Sequence, residues 1–438
     1  MIAFSNFQYE DIVQYFEESL FDLDTNEIDP NYEQSKIQTL QKIILDLMSL
    51  EKISFNFFKN CDIYNSALQL KNSSNYFPSL QYLSIDFSNY SEIKSSVFEN
   101  LGIFISNLES LEYLSLIIDN FNKQKIDYSF NIFSSIFKNI PKKLSSLNLD
   151  VKLIDIDSSS IEIFTQYLEK LTNLQNLYFQ VGDNCQLKTE NSIILANSIQ
   201  KLIQLKRLNL IIQSDNQISQ QGIIQLLQSI RHLKSLENLH LDIFGNETIS
   251  DQILKEAKFS FQYLEKLTQF KWILKSKIQN QKLADDLGEL LPCTKQLKQL
   301  DLIYEKQYIL FMNEQLNGLD NLESLSIQIK NINVSIETDK LLQKVFSIQS
   351  LKQLHLKFEK PAQIQFQLTL NLDCFLQLTN LQILNLEKPV INEINQLTFS
   401  QIQQLNYIEA RNTQSLFINR KFIRLNQVSF CSKIKNYL

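Results

Sequence analysis

A strand phrase built on L-x-x-L-x-L, with Ile, Phe, Trp or Ala replacing a later leucine in some copies, returns thirteen times along this chain of 438 residues. Its first leucines are Leu50, Leu80, Leu111, Leu144, Leu174, Leu205, Leu236, Leu267, Leu297, Leu322, Leu351, Leu381 and Leu405, a mean spacing near 30 residues. A period of that size marks a repeat array. Each repeat is one supersecondary unit that cannot bury its apolar side alone, so stability comes from stacking neighbours.

The best-formed unit is GIIQLLQSIRHLKSLENLHL, Gly222 to Leu241. Ile224, Leu227, Ile230 and Leu233 fall every three residues, the spacing of one helix stripe. Leu236, Leu239 and Leu241 then end in the alternation of a strand. Helix and strand in each of about 13 repeats predict an α/β solenoid. Parallel strands stack about 4.8 Å apart, whereas helices are roughly 10 Å wide. Unequal layers predict a curved horseshoe, with parallel β-strands concave and α-helices convex.

The phrases LQYLSI, LEYLSL, LSSLNL, LQNLYF, LKRLNL, LENLHL, LKQLDL, LESLSI, LKQLHL and LQILNL carry a family likeness. Over about Ile37 to Ala410 the chain resembles the leucine-rich repeat family, in its ribonuclease-inhibitor-like class with a full helix per unit. NQISQQGI, Asn216 to Ile223, is similar to that class's loop into the helix. Two features depart from the pattern. The period is slightly above the usual length. The polar ladder position, three residues after the last strand leucine, holds Ser88, Asp119, Lys152, Gly182, Gln213 and Phe244 in place of Asn. Without an Asn ladder the loops must satisfy their backbone groups by other means.

Net charge is −6 and pI near 5.4, which argues against nucleic acid as a partner. The cysteines Cys61, Cys185, Cys293, Cys374 and Cys431 are odd in number and never spaced C-x-x-C. They read as reduced, mostly buried thiols of an intracellular protein, cytoplasmic or on an organelle or cytoskeletal structure. The first residues lack a signal peptide's basic start and apolar core. No apolar run approaches the roughly 20 residues of a membrane helix.

Segment 1–36 is acidic, with an amphipathic helix expected from Tyr9 to Leu20, and reads as the N-terminal cap of a repeat array over 37–410. Segment 411–438 reads as a basic C-terminal cap or tail. Two stretches break the pattern: Leu302 to Leu322, where the helical stripe is poor, and Leu356 to Leu381, where alternation over Ile364 to Leu372 suggests extended structure.

In L-x-x-L-x-L-x the leucines point inward, so the third, fifth and seventh positions point outward on the expected concave face. Candidate binding residues there are Tyr82, Tyr113, Tyr178, Arg207, Asn238, His240 and Asp242. Exposed aromatics amid adaptable polar groups are the usual makings of protein contact sites. Catalysis finds little support. His240 and His355 share a column about 19 Å apart by the strand spacing, too far to share a metal. His232 reads as a helix surface residue, and His240 with Asp242 as a solvated pair. Gly-rich phosphate loops, G-x-S-x-G and H-E-x-x-H are absent.

No catalytic residue, cofactor, metal site or small-molecule substrate is expected. The expected function is a non-enzymatic protein–protein interaction scaffold or adaptor, its partners proteins within a larger assembly. The alternative is a regulatory or substrate-receptor subunit of an enzyme complex. A remoter one, implied by the resemblance, is GTPase activation, for which Arg207 is the one interior outward arginine.

Overall fold

The structure is a computed structural model and describes residues 48–56, 63–88, 94–119, 133–152, 155–183, 185–213, 216–243, 250–274, 296–305, 316, 318–330, 336–358, 377–387 and 407–411. The acidic segment 1–36 with its expected helix, the basic residues after Arg411, the stretch Ile364–Leu372 and four cysteines (Cys61, Cys293, Cys374, Cys431) lie outside them. So does 306–315, most of the first pattern break.

The chain divides into two compact units, Met1–Leu205 with Asp215–Gln217, and Lys206–Ser214 with Ile218–Leu438. The first carries strands β1 (Lys52–Asn56), β2 (Tyr82–Asp86), β3 (Tyr113–Asp119), β4 (Ser146–Lys152) and β5 (Asn176–Val181). Its helices are α1 (Ile63–Ser73), α2 (Ser95–Ser106), α3 (Ser134–Phe137), α4 (Ser158–Leu168) and α5 (Thr189–Ile199). The second carries β6 (Arg207–Ile212), β7 (Asn238–Asp242), β8 (Gln269–Leu274), β9 (Gln299–Glu305), β10 (Ser324–Lys330), β11 (Gln353–Phe358), β12 (Ile383–Glu387) and β13 (Tyr407–Arg411). Its described helices are α6 (Gln220–Ile230), α7 (Asp251–Phe261) and α8 (Ile336–Phe346). Within each unit the strands pair in chain order, and every ladder is parallel. The fold is an α/β solenoid of strand–helix repeats.

The leucine phrase determines where each strand begins. Every one of the thirteen marker leucines stands two residues before a strand start, from Leu50 before Lys52 to Leu405 before Tyr407. In the described interior repeats the marker is buried, and from Leu80 to Leu267 and again at Leu322, Leu351 and Leu381 its N–H bonds back to the carbonyl three residues earlier, as Leu111 does to Leu108 (3.0 Å) and Leu236 to Leu233 (2.9 Å). Leu233 was expected on the helix stripe. It lies instead in the turn after α6, which ends at Ile230. There Leu233 is wholly buried and closes the helix, because its N–H reaches Ile230 O (2.9 Å) while its own carbonyl takes the marker's amide.

Backbone groups at the leading end of each strand are satisfied by a recurrent bond. The carbonyl after the marker accepts two amides from the next repeat: Glu51 O takes those of Gln81 and Tyr82, both at 2.9 Å. Gln81, Glu112 and Ser145 continue the series in the first unit, and Lys206, Glu237, Thr268, Lys298, Glu323 and Lys352 in the second. At the trailing end, asparagines outside the expected ladder position serve. Asn216 gives Nδ2 to Gly182 O (2.9 Å) and accepts from Leu187 N (3.1 Å). Asn191, 1% exposed, gives Nδ2 to Ile156 O (2.7 Å) and accepts from Ser158 Oγ (2.9 Å). Such buried bonds are costly to lose.

Aromatic rings fill the first unit where a helix falls short. Helix α3 has only 4 residues, too few to cover its strand with an aliphatic stripe. Phe133 and Phe137 take up that space. They join a run of ring contacts from Phe87 through Phe98, Phe133, Phe137 and Phe164 to Phe179, at centroid distances of 4.7–6.0 Å. Among the described residues no helix is long and apolar enough to cross a membrane. Cys185 is a fully buried thiol whose Sγ lies 3.7 Å from Val151 O, as expected for a structural cysteine.

Candidate outward sheet face

Strand alternation leaves one row of side chains on the core and one facing away. In β2 the pattern is half-buried, buried, half-buried over Tyr82, Leu83, Ser84, Ile85 and Asp86, and β4 repeats it over its whole length. The parallel register aligns these outward residues into columns that run across the strands.

In the first unit the third-position column reads Lys52, Tyr82, Tyr113, Ser146, Asn176. The Tyr82 and Tyr113 rings lie face to face, 4.1 Å between centroids and 6° from parallel. The Lys52 ammonium sits over the other face of Tyr82, 4.2 Å from its centroid. Burial, with the hydrogen bond to Tyr113, pushes the Tyr82 phenol up to about 12. Tyr178 is in the next column, two strands away. Its hydroxyl donates to Gln180 Oε1, and burial with the nearby Asp150 carboxylate raises it to about 12. Both phenols therefore remain neutral at physiological pH. The structure brings Tyr82 and Tyr113 together and leaves Tyr178 apart from them.

In the second unit Arg207 is exposed at the start of β6 and pairs in register with Asn238, whose Nδ2 donates to Gln269 Oε1 (2.6 Å). His240 is half-buried on β7. Asp242 does not fit the expected solvated pair, being only 5% exposed. The seventh position closes over in this region: Ile211, in register with Asp242, is 8% exposed and Ile273 on β8 is 9%. In this unit outward alternation holds for the third and fifth positions and lapses at the seventh in β6–β8. His232 also departs from its expected place, since α6 ends before it and it lies exposed in the turn.

The fifth-position column of this unit holds more chemistry than its histidines suggested. Register places His240 beside Lys271, Lys271 beside Asp301, Asp301 beside Ser326, and Ser326 beside His355. Five consecutive repeats thus present four ionisable groups and one hydroxyl in a single column. Burial raises the Asp301 carboxyl above its ordinary value, against the opposing pull of the Lys271 charge, a Gln299 hydrogen bond and His355. The sign of the linked stability follows. Between the unfolded and the raised folded value the folded state binds the extra proton, so stability falls as pH rises through that interval. Urea titrations are expected to show stability gained from this carboxyl as pH drops from the folded value toward the ordinary carboxylate range, with no further gain below it. That limb should vanish in Asp301→Asn. Among the described residues no three His, Cys, Asp or Glu side chains converge as a metal site.

No protein-family model matches the sequence, and no curated protein matches it at a significant level.

Proposed function

We propose that the chain is a leucine-rich repeat protein of the ribonuclease-inhibitor-like class, and a non-enzymatic interaction module that holds a folded protein partner on its outward sheet face. The stacked Tyr82–Tyr113 pair carries this reading. Two large rings, held rigid by each other and by Lys52, stand on a face of short polar side chains such as Ser84 and Ser146. Rigid aromatics lose little conformational freedom on binding, and tyrosines in desolvated centres dominate interface energetics. The leucines of each repeat are consumed by the core, so specificity resides in the residues between them.

The test begins with purification of the full chain from its native source and identification of co-purifying proteins by mass spectrometry. A partner so identified is then titrated against wild type and the Tyr82→Ala/Tyr113→Ala double variant. Truncation of a hot-spot aromatic costs 2 kcal/mol or more, so affinity is expected to fall at least about thirtyfold. The thermal midpoint should change little, since both rings lie outside the core. Unchanged affinity would move the contact surface elsewhere.

A further inference from the structure

We infer that the outward face of the first unit contains a slot for an arginine side chain of the partner, between Tyr113 and Asn176 and over Ser146. The inference rests on the reading that this face is the contact surface, and names what it recognises. Tyr82 has both ring faces covered, by Lys52 on one side and Tyr113 on the other. Tyr113 has only one covered among the described residues. Its second face looks toward β4, whose third position is the short Ser146, and across it to Asn176 on β5. Tyr113 and Asn176 are two strand spacings apart, about 9.6 Å. Carbon contacts need about 3.5–4.0 Å on each side. Asn176 leans in toward Ser146, so at most one planar group fits beside the Tyr113 ring.

The polar lining selects which planar group. Asn176 gives Nδ2 to Ser146 Oγ (2.7 Å), and its Oδ1 accepts no hydrogen bond among the described residues. Asn148, the next outward residue of β4, gives Nδ2 to Ser115 Oγ (3.0 Å). Its Oδ1 is buried and likewise accepts none. Beside an electron-rich ring face, then, stands one open acceptor, Asn176 Oδ1, while Asn148 Oδ1 is closed to solvent. Guanidinium is the matching group: planar, cationic, with five donors, no acceptor and a preference for stacking on aromatics. A phenyl ring would cover Asn176 Oδ1 and leave it unpaired. An ammonium would not fill a flat slot and keeps its hydration more tightly. The charges agree. The outward third, fifth and seventh positions of β2–β5 include Asp86 and Asp150 and no cation, with Lys152 further along β4 pairing Asp150 at 3.5 Å. At the other end of the stack, Lys52 shows the same tyrosines already accepting a cation.

The test places 3-fluorotyrosine at position 113 of the full chain and follows its fluorine resonance during titration with N-acetyl-arginine methylamide. The isosteric, uncharged N-acetyl-citrulline methylamide and the lysine analogue serve as comparisons. A saturable shift is expected with the arginine compound, at about tenfold lower concentration than with citrulline. Ser146→Tyr, which fills the slot with a third ring on a strand that favours aromatics, should abolish it. Equal titration by citrulline, survival of the shift in Ser146→Tyr, or no saturable shift would each overturn the slot. Partner capture that depends on Tyr82 and Tyr113 while arginine leaves the resonance unmoved would remove the slot and keep the binding face. An arginine shift without face-dependent capture would support the slot and remove the reading on which its partner rests.

Discussion

Trp272→Ala is expected to lower the unfolding free energy by about 3–5 kcal/mol, the range for emptying a buried aromatic site. Trp272 is the chain's one tryptophan and is wholly buried on β8. Phe261, at the end of α7, meets it edge-on with centroids 5.9 Å apart, and Phe270, two residues earlier in the strand, lies at 5.6 Å. The three rings join a helix to its strand, which is the contact a repeat unit cannot replace. Neighbours in a solenoid touch only neighbours, so the loss concentrates in the repeats around β8. Urea unfolding followed by far-ultraviolet circular dichroism should show an earlier transition, and Trp272→Phe should recover part of it. A loss below about 1 kcal/mol would mean that the site collapses freely, contrary to the packing described.

Gly102→Ala is expected to destabilise the protein by about 1–3 kcal/mol, the usual cost of overpacking. Helix propensity alone predicts the opposite sign, since alanine is better than glycine in a helix interior by about 1 kcal/mol. The packing decides. Gly102 lies in α2, and a Cβ there would meet Ser135 O of α3 at 2.4 Å and its carbonyl carbon at 2.8 Å. Both atoms are backbone, so no side chain can rotate away. The missing methyl lets the single turn of α3 lie against α2, where Phe98 and Phe133 also meet at 4.9 Å. The same urea titration checks the sign: a stabilised variant would show that α3 can move off α2 at little cost.

The sequence carried the strands far better than the spaces between them. A leucine phrase has one physical reading, buried leucine at fixed offsets, and it located all thirteen strand starts. Leu233 misled because a buried residue three positions beyond a helix stripe looks like more helix, although the backbone has already turned. The run of phenylalanines from Phe87 to Phe179 has no fixed period, since each ring fills whatever gap its repeat leaves. At the outward face, sequence placed Tyr82 and Tyr113 in one column, and parallel register then made their stacking a consequence. The same register aligned Lys271, Asp301 and Ser326 between the two histidines, residues unremarkable when read singly. Burial of Asp242 was not legible. It depends on how the strand ends close, with Ile211 and Ile273 in the same position of neighbouring strands.

On the proposed function, a protein partner covers the outward sheet face. Hydroxyl-radical footprinting of the full chain, alone and saturated with the partner recovered from its native source, tests it most directly. Tyr82 and Tyr113 report on the face. Tyr64 on α1, Tyr76 in the turn after it and Tyr263 after α7, all 41–44% exposed, report on the helices and their turns. Oxidation of Tyr82 and Tyr113 is expected to fall several-fold in the complex while Tyr64, Tyr76 and Tyr263 react as before. Protection of those three with Tyr82 and Tyr113 unchanged would contradict it.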